Sequence, residues 1–589
     1  MAYVQSSWDL THLFKAPQGK DFDAFLKKLE TNIVAIESSR MQLDSFSLQK
    51  IILLLKDIES VEQRCSVLIC YSYLWFSENT KSQEARAFQD RMKQFTAAVG
   101  NRILFFHIWF KSLDEKSAQK IIAGAGEYRY YFQKLLLEKP YTLSEKEEQI
   151  LLLKETTGSS AFFTLYSLMT TSFSYDFYVG KKVKKLNKEQ LTVYVRSSSA
   201  AERKQAYELL LEKYAQNKDM LGELYKLIVS DWKNDFLTLR GYAKPISPRN
   251  LGNNISDKAV EVMLASVQKN ISVFHRYFLL KTKLLKMKKM TRYDLYAPFF
   301  VKEKKRSFSD AVTVVLDSYR HFSPQMEVMG RKILEEKHVH SLIQEGKMHG
   351  AYCYDVAGHT PYVLINYLGM ERDVSTLAHE LGHGVHDLLT KKQVSLLSHP
   401  PLVFAETASV FAEMLLTEKL LEDEKNVQSK QALLMSKLDD MYATIIRQSY
   451  FVLFEKKAHE AVEKGATIDQ LSALYLANLE EQFGSSVVVS KNFQYEWLYI
   501  PHIYNSPFYC YSYSFGNLLT LALYAMYKKE GKAFVPKYLK FLSYGGSKSP
   551  KEIALELGID LESEAFWNRG FVAIEVMLDA LEDLSKKAL

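Results

Sequence analysis

This 589-residue sequence predicts a mainly α fold with a small β-sheet. Three observations carry that expectation. Apolar residues recur at three-four spacing over long stretches of the first half. The chain holds only 13 Pro and 24 Gly, so few residues interrupt helices. Alternation of period two is confined to two short segments.

The elements follow in chain order. Phe22, Phe25, Leu26, Leu29, Ile33 and Ile36 form the buried stripe of a first helix, and similar patterns span 47–75, 85–112 and 203–230. The segment SFSYDFYVG, ending at Gly180, reads as a strand. The polar run KKVKKLNKEQ and the run RSSSAAERK, over 180–202, separate two apolar regions. The chain exceeds what one compact core normally spans, so a boundary is expected there, between an N-terminal helical region, 1–200, and the chemistry-bearing part, 201–589. In KTKLLKMKKM, from Lys281, interleaved Leu and Met predict an amphipathic helix with a solvated lysine face. The β-branched residues of PYVLINY, between Tyr362 and Tyr367, predict a second strand shortly after Gly358. No repeat of solenoid period occurs.

Composition narrows the function classes. A hydrophobic share of 47% with 25% charged residues is that of an ordered globular protein. A net charge of +7 is small for this length and gives no reason to expect a nucleic-acid partner. Cys65, Cys70, Cys353 and Cys510 form no C-x-x-C pair, which argues against a disulfide framework and a thiolate metal site. Any metal would be held by nitrogen and oxygen. Thr156–Tyr175 carries no charge, but its Ser, Thr and Gly158 do not suit a membrane span. Met1–Phe14 lacks the pattern of a secretory signal, so a cytoplasmic enzyme is the expectation.

The chemistry concentrates in TLAHELGHGVHDLL. On a helix, His379 and His383 lie one turn apart and point both imidazoles at one ion, while Glu380 can reach a water on that ion. Gly382 and Gly384 each cost about 1 kcal/mol relative to Ala in a helix interior. A purely structural helix would avoid them, whereas a close approach by other groups explains them. A hydrolytic zinc takes three protein ligands and keeps one position open. His386 and Leu389 stand where an extended metzincin motif needs Gly and His, so the third ligand comes from elsewhere. PPLVFAETASVFAEMLL offers Glu406 and Glu413, seven residues apart and nearly on one helical face. Glu406, in an apolar run costly for an unpaired carboxylate, is the expected ligand, and Glu413 is the candidate to orient a ligand histidine. Two readings stay open for Asp387: it orients an imidazole, or it faces solvent.

These residues resemble oligoendopeptidase F, within the thimet oligopeptidase family of zinc peptidases. His379, Glu380, Gly382, His383 and His386 meet the family's H-E-x-G-H-x-x-H, and AETAS places Glu406 at its glutamate ligand. WDLTHLF, ERKQAYELL, YDLYAP, GAYCYDVAGHTPYVLINY, PHIYNSPFYCYSYSFG and FLSYGGSKSPKEIALELGID extend the likeness over essentially the whole chain. The resemblance implies a multi-helix shell around a deep substrate channel, with a small sheet near the zinc-binding helix and a single Zn2+ on the channel floor. It implies oligopeptide substrates, and makes PYVLINY the edge that pairs with a substrate backbone. It also implies a His and tyrosines opposite the metal that stabilise the oxyanion. PHIYNSPFYCYSYSFG supplies His502, Tyr504, Tyr509, Tyr511 and Tyr513, of which His502, Tyr509 and Tyr513 are the favoured donors. The rival for these rings is an aromatic core stripe.

The reaction so implied is hydrolysis of internal peptide bonds, with Glu380 as general base on a zinc-bound water. A zinc carboxypeptidase of related helical fold is one alternative, and a catalytically inactive peptide-binding scaffold another. Side-chain preference, natural substrate and oligomeric state are not legible in the sequence.

Overall fold

The computed structural model describes residues 3–299 and 305–588. Helix makes up 73% of the chain and strand 3%, so two small sheets are set into a helical body. Helices α1 (Lys20–Ser38), α2 (Leu48–Glu78) and α3 (Gln83–Ser112) follow the predicted periodicity. In α1 the stripe Phe22, Leu29, Ile33 and Ile36 is buried. Ser47 and Ser82 cap α2 and α3, their hydroxyls accepting from Lys50 N and Ala85 N.

Strand β1 (Tyr175–Val179) pairs antiparallel with β2 (Lys182–Leu186). The second strand lies in the run read from sequence as a polar break. Its side chains are almost all exposed, so it shows no apolar alternation, while β1 buries Tyr175 and Phe177. Gly180, at φ 60°, makes the turn. The single helix expected over 203–230 is two, α4 (Ala200–Gln216) and α5 (Lys218–Trp232). Asn217 separates them at φ −111°, and its Nδ2 caps α4 by donating to Lys213 O at 2.8 Å.

The lysine-rich segment also departs from expectation. Helix α6 (Ser272–Leu284) ends within it, and Lys281 is fully buried. Its ammonium donates to both Asp439 oxygens at 2.7 and 2.6 Å and to Leu295 O at 2.8 Å. A buried charge is tolerated when paired and hydrogen-bonded in this way. The remaining lysines of the segment are exposed.

Helices α7 (Phe308–Phe322) and α8 (Pro324–Glu335) precede a three-stranded sheet of β3 (Val339–His340), β4 (Tyr352–Tyr354) and β5 (Tyr362–Leu364). The order is β3-β5-β4, parallel between β3 and β5 and antiparallel between β5 and β4. PYVLINY therefore contributes the central strand, not an edge. Val363 N and Ile365 N donate to His338 O and His340 O, so Tyr362 and Leu364 face β4. By the same alternation Cys353 turns its backbone N–H and C=O to the outer edge. Helix α9 (Glu371–Thr390) packs on α7, α8, β4 and β5. It is followed by α10 (Thr407–Asp423), α11 (Arg447–Glu463) and α12 (Tyr511–Glu530).

The chain divides into two compact units that interleave along the sequence. One comprises Met1–Pro140, Glu303–Leu420 and Met526–Gly558, and the other Tyr141–Lys302, Leu421–Ala525 and Ile559–Leu589. The charge-free stretch noted above forms a helix of 13 residues, Ser159–Thr171. Among the described residues no helix is long and apolar enough to cross a membrane. All four cysteines are free.

Candidate metal centre and active site

Helix α9 carries the first donors. Asp373 anchors its start, Oδ2 accepting from Leu368 N at 2.8 Å and Met370 N at 3.0 Å. Val374, Leu377, Ala378, Leu381, Val385 and Leu389 are buried, which fixes the rotation of the helix and the direction of its other face. The Tyr319 hydroxyl, from α7, donates to Ala378 O at 2.5 Å, one residue before His379. This brace had no sequence signal. Both glycines are explained by close packing. A Cβ on Gly382 would lie 2.8 Å from Ser409 Cα and 2.9 Å from Ala408 O, so α10 approaches only because that atom is missing. On Gly384 it would collide with Ile333.

Glu406 sits at the break between a short helix, Leu402–Ala405, and α10. Ser409 Oγ donates to its Oε2 at 2.9 Å and holds the carboxylate outward. The Tyr538 hydroxyl donates to Thr407 O at 3.1 Å and braces the same break. His379 Nε2, His383 Nε2 and Glu406 Oε2 then converge. The two nitrogens are 3.2 Å apart, and the carboxylate oxygen lies 3.3 Å from one and 3.4 Å from the other. Donors about 2.0–2.1 Å from one tetrahedral ion would be spaced about 3.3–3.4 Å from one another. Among the described residues this is the one group of three His, Cys, Asp or Glu side chains arranged to hold an ion.

The tautomer supports the same reading. Glu413 Oε1 lies 2.6 Å from His379 Nδ1, so that nitrogen holds a proton, and with an ion bound Nε2 would be the atom left to offer a lone pair beside the other two donors. Three lone-pair donors at such spacing repel unless a cation shares them. The electrostatics agree. Burial alone would lower the His379 imidazole, yet its hydrogen bonds to Glu406 and Glu413, with their charges, push it up to about 10. Burial likewise works against ionised Glu406, but both histidines hold it well below the usual carboxylate range. The cluster attracts positive charge.

Glu380 is 6% exposed, and burial raises its carboxyl against the pull of His379 and His383. A carboxylate made more basic beside the convergence point suits a proton acceptor. His386 does not join the donors. It is buried, and burial drives it down to about 3. Asp387 is half-buried, and its carboxylate meets a thiol. The Cys353 thiol donates to its Oδ2 at 3.6 Å, and burial with the neighbouring Asp355 pushes it up to about 7.

The predicted oxyanion donors belong to the other unit. There the rings of His502 and Tyr513 are 6.0 Å apart and those of Tyr509 and Tyr513 5.2 Å apart, both edge-on. All three are half-buried. Tyr504 and Tyr511 are core residues by contrast. Tyr504 stacks on Tyr166 at 4.0 Å, and the Tyr511 hydroxyl accepts from Asn253 Nδ2 at 2.7 Å.

The model of peptidase family M3 matches residues 193–573, more than half of the chain, and that of the Oligopeptidase F N-terminal region matches 109–175. The chain belongs to peptidase family M3. As a member of that family it is a metallopeptidase. An oligoendopeptidase F homolog of Borreliella burgdorferi is 29% identical over 95% of this chain and 94% of its own length. A crystal structure from Chlamydophila abortus superimposes with a TM-score of 0.88 at 26% identity, covering 98% of both chains. Oligoendopeptidase F from Enterococcus faecium superimposes with a TM-score of 0.73 at 21% identity, over 96% of this chain and 99% of that one.

Proposed function

We propose that this M3 peptidase is a zinc endopeptidase that hydrolyses internal bonds of short, unstructured peptides, one Zn2+ being held by His379, His383 and Glu406. The convergence of three donor atoms at 3.2–3.4 Å carries the reading. The names of the relatives support the oligopeptide substrate. When bound, zinc supplies Lewis acidity to the scissile carbonyl and acidifies water. Glu380 accepts the proton of the attacking water and returns it to the departing amine. Glu413 keeps the His379 Nδ1 proton in place and its Nε2 free to donate. The outer edge of β4, at Cys353, takes over the role expected of PYVLINY: its unpaired N–H and C=O suit an extended peptide added as a further strand. Substrate access through a deep channel follows from the family resemblance alone. The free cysteines fit a reducing, cytoplasmic setting.

The test is to map, by mass spectrometry, the cleavage products of a defined ten-residue peptide. Internal cuts are expected. Stepwise loss of single C-terminal residues would replace the reading by a carboxypeptidase, and an intact peptide by a non-catalytic scaffold.

His502, Tyr509 and Tyr513 are assigned as donors to the developing oxyanion. A donor that acts on charge present only in the transition state lowers the barrier without tightening substrate binding. Tyr513→Phe should therefore reduce kcat and kcat/KM together by about 2–4 kcal/mol in barrier, with KM nearly constant. Steady-state kinetics on the same peptide decide it, with circular dichroism and zinc content as controls. Wild-type kcat in Tyr513→Phe with a large loss in Tyr509→Phe would move the role to Tyr509.

A further inference from the structure

One carboxylate in the unit that holds the tyrosines is buried without a charged hydrogen-bond partner. Glu455, on α11, is 0% exposed. Its Oε1 accepts from the backbone N–H of Phe508 at 2.8 Å, and its Oε2 has no hydrogen-bond partner. Burial pushes it up to about 8, although the Phe508 N–H and the Arg249 charge oppose this.

Phe508 has an unusual backbone. Its φ is +59°, in the left-handed region that a bulky side chain rarely adopts, and it directly precedes Tyr509. Such a conformation persists only where surrounding contacts over-determine it. Three do so here. Glu455 holds the amide, the Phe508 ring packs 4.6 Å from that of His459, one turn beyond Glu455 on α11, and Arg249 Nε donates to Pro507 O at 3.1 Å. The turn hands its geometry directly to the tyrosines. Tyr509 N donates to Ser506 O at 3.0 Å, and Tyr513 N donates to Cys510 O at 3.3 Å in the first turn of α12.

Resting on the oxyanion reading of Tyr509 and Tyr513, we propose that Glu455 is a positioning residue for peptide hydrolysis: its hydrogen bond to Phe508 N fixes the left-handed turn that aims the two phenols. Glu455 touches neither substrate nor metal in this assignment. A hydrogen-bond acceptor of the same shape should replace it, whereas an apolar side chain should not. Glu455→Gln keeps the acceptor, and Glu455→Met removes it while filling similar volume.

The experiment has two readouts on the full-length, zinc-loaded protein. Deuterium exchange of a proteolytic peptide spanning residues 506–513 should rise in Glu455→Met and stay near wild type in Glu455→Gln. Kinetics should show kcat reduced about tenfold in Glu455→Met, with KM little changed and activity restored in Glu455→Gln. In the background of Tyr509→Phe and Tyr513→Phe combined, Glu455→Met should add little, because its effect passes through the phenols. Unchanged exchange in Glu455→Met, or a full additional kcat loss in the double Tyr→Phe background, overturns the proposal. Wild-type kcat in the double Tyr→Phe variant instead rejects the oxyanion reading, and the exchange measurement still decides on its own whether Glu455 holds the turn. If Glu455→Met does not fold, loss of activity with unchanged exchange in Glu455→Gln would equally overturn it, since that variant retains the acceptor.

Discussion

Glu380→Gln should abolish peptide hydrolysis, by at least about a hundredfold in kcat, while zinc content stays at the wild-type level. The amide has nearly the shape of the carboxylate but cannot accept the proton of an attacking water. Glu380 is also distinct from the converging donors, which are His379 Nε2, His383 Nε2 and Glu406 Oε2. Chemistry and metal binding are therefore separable at this position. Metal analysis by mass spectrometry, paired with turnover of the ten-residue peptide, checks both halves. Retained turnover would remove Glu380 as the base, and stoichiometric zinc loss would make it a ligand.

The second large effect is expected at the two glutamates of α10 and the break before it. Glu406→Ala removes one of three donor atoms and should leave the protein largely without zinc after dialysis against a weak chelator. Glu413→Ala removes only the partner of His379 Nδ1, and a lost partner of that kind costs about 10–100-fold in metal affinity. The order of zinc retention should be wild type, then Glu413→Ala, then Glu406→Ala. Zinc retained in Glu406→Ala but lost in Glu413→Ala would exchange the two roles.

The candidate metal centre was legible because its rules are local. A four-residue interval on a helix places two imidazoles on one face, and a seven-residue interval stacks Glu406 and Glu413, so the candidates could be named from spacing alone. What supports them was not legible. Ser409 is one serine among many, and nothing in AETAS says that its hydroxyl turns back to the carboxylate three residues earlier. The Tyr319 brace lies 59 residues from its acceptor. Periodicity assigned Lys281 to a wet surface because it weighs only neighbours in sequence, whereas the partner that permits burial, Asp439, is 158 residues away. Strand β2 escaped because both its faces are exposed and lysine-rich. The central place of β5 escaped because the strand that takes its second edge, β3, is two residues long and leaves no pattern to read.

The interleaving of the two units bears on the order of synthesis. His379, His383 and Glu406 belong to a unit whose last segment, Met526–Gly558, is made long after them. Tyr538, which braces the break beside Glu406, comes from that segment. When Glu406 has been added to a growing chain, the 152 residues to Gly558 (558 − 406) remain to be joined, on the order of ten seconds or more at ordinary elongation rates. Until then these three converging side chains lack part of their framework. A chain terminated before Met526 would carry the complete H-E-x-x-H motif without Tyr538, one of the groups that brace the break beside Glu406.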